Sequence, residues 1–432
     1  MKVFNKSINI YDLIYISIYV IIGVLVINKE IVYYPDSYTF LYMAFNHSPV
    51  YCIFLKIFTS IFDSNFAFPL KLVQYSIIAY GVSFLIKTLK NIFNIAFLGF
   101  IFLQLICLAP CVYLHFLGNT ILSEALTYPF FLIIFSYALK MFIEEDLKYI
   151  YKISLLLIVI ILTRGQFIVL IPVLLIIVAY LIFKSKSLIK NFKFLIILIT
   201  LPFITSLSER IYNKIVFGHF VNNAMNYVHL ISSPFYISNE SDIDLFTEKE
   251  ERVYFKMVHK SLKEAQLTRN QSLNNGNDDA YFYRDNFTKI CNKRIYKLGL
   301  NFYKDKGLDF NSQNIALNRL CSKIIFPLVN KNFKSWITLF FKNLKNSFGS
   351  FKQMLLFLML LAYSMFYFSK FNRSAIYKFI LLGTLFMFAN NTLIALVVHP
   401  IKRYVFYFDW LIFAIIIILL NEFLKNKELN ES

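Results

Sequence analysis

Charge is scarce in this sequence. Asp, Glu, Lys and Arg make up 16% of its 432 residues, where a soluble domain carries about a quarter. Apolar residues reach 58% and mean hydropathy is +0.60. A single soluble core of that apolarity leaves much of its surface greasy, which excludes a soluble enzyme. Glycine (11) and proline (10) are too few for a fibrous or low-complexity chain. Disorder is excluded by 49 Phe and 29 Tyr set among long apolar runs. No Gly-rich phosphate loop, zinc-type Cys/His pair or basic-aromatic nucleic-acid module occurs. What remains is an all-α polytopic membrane protein.

Acidic residues are the scarcer sign: 44 Lys+Arg face 25 Asp+Glu, a net charge of +19. In a membrane chain this excess reads as basic residues held on the cytoplasmic side near anionic lipid, and no nucleic-acid partner is expected. Of the five cysteines, Cys52, Cys107 and Cys111 sit in or beside apolar segments, where Cys acts as a small hydrophobe. Cys291 and Cys321 lie in one polar segment, and spacing alone leaves their pairing open.

A spanning helix needs about 20 mostly apolar residues. Ten stretches qualify: Asn9 to Asn28, then 68–87, 92–113, 122–142, 150–163, 166–183, 193–207, 353–369, 376–398 and 403–423. The first follows Lys2 and Lys6 and lacks a small-residue cleavage site, so it reads as a retained helix. The fifth and seventh are short, and the pair flanking Arg164 also reads as one broken hairpin.

With the N-terminus inside, the inner turns hold Lys87, Lys90, Lys148, Lys152, Lys184, Lys186, Lys190, Lys193, Lys370, Arg373, Lys378, Lys425 and Lys427. The short outer turns hold mainly Lys29, Lys56, Arg164, Lys402 and Arg403. That bias predicts cytoplasmic termini. Two outer segments exceed a turn. Segment 29–67 contains the aromatic stretches Ser37–Phe45 and Pro49–Phe62, which fit helices in the interface plane. Segment 208–335 is polar and long enough for a small, partly helical external domain. The chain therefore divides into an N-terminal bundle (1–207), this large loop (208–335) and C-terminal helices (336–432).

Ionisable groups near membrane depth are costly. Asp36 sits in Tyr33-Tyr34-Pro-Asp-Ser37, Glu124 in Ser123-Glu-Ala-Leu-Thr-Tyr-Pro129 and Arg164 in Thr163-Arg-Gly-Gln166. His399, Lys402 and Arg403 lead into the last helix through His399-Pro-Ile-Lys-Arg-Tyr404, with Asp409 about one turn inside. All map to the outer face. Each also has a plain structural role. Asp36 can cap a helix, Glu124 can complement a helix N-terminus, and Arg164 and Lys402 can snorkel. Arg403 and Tyr404 suit an interface, His399 reads as a solvated loop histidine, and Asp409 is expected to pair with Arg403 or Lys402. Taken together they form an acid-and-base cluster beneath an external loop.

Such a cluster suits transfer of a group carried on a lipid phosphate. A surface carboxylate deprotonates an acceptor hydroxyl, while guanidinium groups hold the phosphate and the charge developing on the leaving group. No cofactor is called for. The Pro-Asp-Ser turn carries one carboxylate rather than a paired Asp-x-Asp, so a divalent metal is not demanded, though spacing leaves it open.

These residues resemble the GT-C superfamily of membrane glycosyltransferases that use polyprenyl-phosphate sugars. Three pieces carry the resemblance: Tyr34-Pro-Asp-Ser-Tyr38 after the first helix, the Ser123-Glu and Thr163-Arg-Gly-Gln-Phe167 elements, and Pro400-Ile-Lys-Arg-Tyr404. The layout is similar to that of O-antigen serotype-converting glucosyltransferases, which place a large external loop before their last helices. The resemblance implies a GT-C-like bundle in a bacterial inner membrane with a periplasmic active site. It implies a polyprenyl-phosphate-linked sugar donor and a glycan acceptor such as surface polysaccharide, O-antigen of lipopolysaccharide or a lipid-linked glycan. Asp36 would be the catalytic base, Arg403 with Arg164 or Lys402 would bind donor phosphate, and Glu124 would orient the acceptor or a basic partner. Tyr34, Tyr404, His399 and Asp409 would support them. The likeness covers the whole chain in topology, but its motifs are short. Many members carry two acids in the first loop, whereas Asp36 stands alone until Asp63, so whether Glu124 assists Asp36 stays open.

Two other readings compete. A repeat-unit polymerase shares the large periplasmic loop and phosphate-binding arginines. A flippase or transporter instead predicts midplane charges and paired broken helices. Here the charges gather at one edge and the two halves show no repeat.

Overall fold

The computed structural model describes residues 9–113, 117–186, 188–370 and 374–431. Among the described residues the fold is all-α with no strand, only the isolated bridge Val32–Thr120. In chain order the helices are α1 (Ile10–Asn28), α2 (Pro35–Leu41), α3 (Pro49–Phe62), α4 (Ala67–Phe93), α5 (Phe97–Leu108), α6 (Glu124–Glu144) and α7 (Tyr149–Thr163). Then come α8 (Leu170–Ser185), α9 (Leu188–Phe217), α10 (Asn226–Leu230), α11 (Ser232–Ile237), α12 (Lys249–Glu264), α13 (Arg269–Asn274) and α14 (Asp279–Thr288). The last are α15 (Lys297–Lys304), α16 (Phe310–Lys331), α17 (Phe333–Ser347), α18 (Phe351–Lys370), α19 (Ala375–Val397), α20 (Lys402–Val405) and α21 (Asp409–Glu431). Among the described residues eight helical stretches are long and apolar enough to cross a membrane. The chain is a multi-pass membrane protein.

Two of the ten expected spans are too short to count among these eight. The helix at 92–113 gives way to a 3-10 turn at Ala109-Pro110-Cys111, because proline removes a backbone donor. The helix at 150–163 stops where Arg164 turns extended before Gly165. Conversely, the segment expected at 193–207 is a helix running on to Phe217, so the expected boundary at 207 falls inside it. No breaker intervenes until Gly218, whose φ of +81° suits glycine. Of the inner-turn cations, Lys2, Lys6 and Arg373 lie outside the described residues, as does the side chain of Lys427.

The chain forms two compact units. The first comprises 1–205, 358–387 and 406–432. Its helices meet by close approach: a Cβ on Gly81 of α4 would lie 2.6–2.8 Å from Pro129 of α6. Aromatic packing fills the rest, with Phe131 and Phe135 of α6 meeting Phe167, Phe379, Tyr407, Phe408 and Trp410. Polar contacts add directional ties. The Tyr15 hydroxyl meets Ser83 Oγ at 2.6 Å, and Gln104 donates to the Tyr15 carbonyl at 2.8 Å. On α1, Leu13, Ile16, Val20, Ile21 and Val24 stay exposed on a helix with no polar face, as suits contact with lipid tails.

Hydrogen bonds mark two ends of this unit. At one, Lys71 near the start of α4 donates to the Ile27 and Lys29 carbonyls (2.7 and 2.6 Å), closing the C-terminus of α1. At the other, about 30 Å along α6, Glu145 pairs with Lys184 of α8 at 2.5 Å and Lys378 of α19 at 3.1 Å. There too the end of α21 meets the end of α4, where Lys425 donates to the Phe93 carbonyl at 2.9 Å.

The second unit comprises 206–357 and 388–405. Short helices enclose a core of its own, including Phe235, Tyr254, Tyr283, Ile290, Leu317 and Ile324. Cys291 and Cys321 are both buried free thiols; Cys291 donates weakly to the Val228 carbonyl and Cys321 lies 3.9 Å from the Tyr254 hydroxyl. Burial pushes the Cys291 thiol up to about 12, so it stays neutral. Asp279, with a fully buried side chain, is held by Arg269 at 2.7 Å and by Lys342.

Candidate functional site

Asp36 stands half-buried in the first turn of α2, opened by Pro35, whose fixed φ and missing donor suit a helix start. The next residue anchors the turn. Ser37 Oγ accepts from the Tyr34 amide at 2.8 Å and donates to the Ile121 carbonyl at 2.8 Å. Backbone bonds extend this brace: Val32 N–H to Asn119 O at 2.9 Å, and Ile121 N–H to Val32 O at 3.3 Å. Below it, Phe40 packs with Tyr51, Leu55, Ile121, Leu122 and Leu126. The acidic turn is thereby fastened to the segment that leads into Glu124.

Glu124 begins α6 almost wholly buried and pairs with Arg164 at 2.5 Å, their side chains 2% and 14% exposed. Ser123 Oγ donates to its other oxygen at 3.3 Å. The extended backbone at Arg164 (φ −156°, ψ 111°) ends α7 and stands at the N-terminal end of α6. A carboxylate there gains from the helix N-terminus and from the guanidinium together, which repays its desolvation.

Asp409 opens α21 and accepts from the Tyr113 hydroxyl at 3.3 Å. Just before it, the Tyr407 hydroxyl meets Thr127 Oγ1 at 2.7 Å, one turn beyond Glu124 on α6. Asp36, Glu124, Arg164 and Asp409 thus share one end of the first unit. Beside them α3 keeps Ile53, Ile57 and Ile61 exposed and Tyr51, Cys52, Leu55 and Phe58 buried. Four-residue spacing of the exposed isoleucines gives a continuous apolar stripe, the form of a helix lying in a membrane interface.

His399, Lys402, Arg403 and Tyr404 belong to the second unit. His399 is a correction: it is not a solvated loop residue. Its ring stacks on Phe287 at 4.1 Å and meets Tyr404 edge-on at 5.8 Å. Its Nδ1 is buried without a hydrogen-bond partner among the described residues. Burial, then the charges of His229, Arg284 and Arg403, lower it from 6.5 to about 4, so the ring is neutral at pH 7. The Arg403 guanidinium lies 5.8 Å from the Tyr404 ring, Lys402 is exposed, and Asn390 Nδ2 donates to the Tyr404 carbonyl at 3.2 Å.

Three contributors escaped the sequence reading. Thr39 Oγ1 donates to the Asp36 carbonyl at 2.7 Å and meets His47 Nε2 at 2.6 Å, tying a histidine to the acidic turn. Asn390, inside an apolar span, signals a buried polar brace only in retrospect. Arg284 comes from α14 in the large loop, and no local motif relates it to His399. Among the described residues no group of three or more His, Cys, Asp or Glu is gathered to hold a metal ion. The chain matches no family model, no curated protein and no solved structure.

Proposed function

We propose that this protein is a GT-C-type glycosyltransferase that moves a sugar from a polyprenyl-phosphate donor to a glycan acceptor at the outer face of a bacterial inner membrane. The observation that carries the reading is the end of the first unit where Asp36, Glu124, Arg164 and Asp409 gather. One acid is half-open on a braced turn, and one buried ion pair stands on the helix beside it.

In the proposed step the acceptor hydroxyl oxygen bonds to the anomeric carbon while Asp36 takes its proton. The bond from that carbon to the phosphate oxygen breaks, and its electron pair leaves with the polyprenyl phosphate. A single displacement inverts the anomeric configuration. Arg164 is assigned the donor phosphate, where a cationic donor stabilises the growing negative charge. Glu124 holds Arg164 at 2.5 Å, so its role is to orient that guanidinium toward the same task. The exposed isoleucines of α3 offer the prenyl tail an apolar border.

The test is mass spectrometry of host surface glycans from a deletion strain complemented with wild type or Asp36→Asn. Loss of one sugar per repeat at constant chain length, unrescued by the variant, supports the proposal. Collapse of the chains to single repeats makes the protein a polymerase instead.

A further inference from the structure

The second unit carries a cleft of about 460 Å³ whose lining residues fall outside every motif singled out in the sequence. One wall is a single face of α16: Ile315, Asn318, Arg319 and Ser322 follow helical spacing. The other is Arg210 near the end of α9 with the loop that follows it, Val221 to Ala224, and the start of α10. The loop is fixed in place. Asn213 Nδ2 donates to the Val221 carbonyl at 2.8 Å, the Asn223 amide to Glu209 at 3.2 Å, and the Tyr227 amide to Asn318 Oδ1 at 2.9 Å.

The lining has an unusual chemistry for so basic a chain. It holds two arginines, four asparagines, a tyrosine and a serine, and no carboxylate. Arg210 uses its Nε on Asn222 Oδ1 at 3.2 Å, an arrangement that fixes the plane of its guanidinium. Arg319 and Asn226 are exposed, and the Tyr227 ring is 40% exposed at the rim. Guanidinium groups match carboxylate or phosphate oxygens in pairs. Carboxamides and hydroxyls both donate and accept, which suits a ligand rich in hydroxyl groups and is wasted on a bare anion. A half-exposed tyrosine offers a face on which a sugar ring rests.

We propose that this cleft binds an acidic saccharide, a sugar residue bearing a carboxylate or phosphate. The identification of that saccharide as part of the acceptor rests on the glycosyl-transfer reading; binding itself does not.

The experiment uses the full-length protein in phosphatidylcholine nanodiscs, titrated with tetragalacturonate and with its methyl ester. Wild type and Asp36→Asn are expected to bind tetragalacturonate alike. Arg319→Gln, an exposed substitution that leaves the fold intact, weakens binding about tenfold or more, as does Arg210→Gln, and the neutral ester binds correspondingly poorly. Unchanged affinity in both arginine variants, equal binding of the ester, or no saturable binding by wild type overturns the proposal. So does full competition by equimolar inorganic phosphate, which would make the cleft a simple anion site. Loss of binding in phosphatidylglycerol nanodiscs would instead assign it to a lipid headgroup. Binding without any sugar transfer would sink the proposed reaction and leave this site standing.

Discussion

At the scale of single residues, two buried groups set the strongest expectations. Glu124 and Arg164 share so little solvent that removing one partner takes the counter-charge away from a buried ion. Glu124→Leu is expected to cost about 3–5 kcal/mol and to lower the melting temperature in detergent. Glu124→Leu combined with Arg164→Leu is expected to recover much of that loss, since no orphaned charge remains. His399 gives a pH expectation. Its folded-state value of about 4 lies below the ordinary 6.5, so its contribution to stability is full above pH 6.5 and is lost as pH falls toward 4. His399→Phe keeps the stacked ring without a titrating nitrogen, and is expected to flatten the melting profile between those pH values. The charged groups that face His399 are His229, Arg284 and Arg403, opposed by Asp285, so acid adds a cation where positive groups outweigh one carboxylate. Asp279 contributes at still lower pH. Burial raises its carboxyl, but hydrogen bonds from Lys342 and Arg269 outweigh that and hold it below the usual range, so its stabilisation fades only as strong acid protonates it.

At the scale of elements, close helix approach makes the sharpest forecast. A methyl group on Gly81 would strike the backbone of Pro129, which has no flexible side chain to yield. Gly81→Ala is expected to destabilise by about 1–3 kcal/mol, read as a lower melting temperature, while Gly165→Ala, with open space around it, stays near wild type. Hydropathy made most of the long helices legible, because about 20 apolar residues in a row have few alternatives. It misjudged the ends. Apolar content continues past Pro110 while the backbone does not, and α9 continues past its apolar part because nothing breaks it before Gly218, whereas α7 ends at Thr163 where the expected span did. Asp36, Glu124 and Arg164 were legible as costly residues at one edge. Their partners were not: Ser37 to Ile121, Thr39 to His47 and Asn390 to Tyr404 join residues through folding rather than spacing.

At the scale of the whole molecule, the first unit has an acidic-turn end and an end where Lys184, Lys378 and Lys425 gather. By the bias of basic turns the second end is expected to face the cytoplasm. The five native cysteines are buried, so a single introduced thiol reports cleanly. Asn65→Cys is expected to react with an impermeant maleimide from outside intact spheroplasts, and Lys186→Cys only after lysis. The reverse pattern would invert the topology. The central claim is that Asp36 accepts the proton of an attacking hydroxyl. Its most direct test is transfer by purified protein from a radiolabelled polyprenyl-phosphate sugar to the extracted host glycan, with wild type beside Asp36→Asn. The account predicts that the variant folds and binds donor normally yet transfers at least about a hundredfold more slowly. Transfer by Asp36→Asn at the wild-type rate would contradict it.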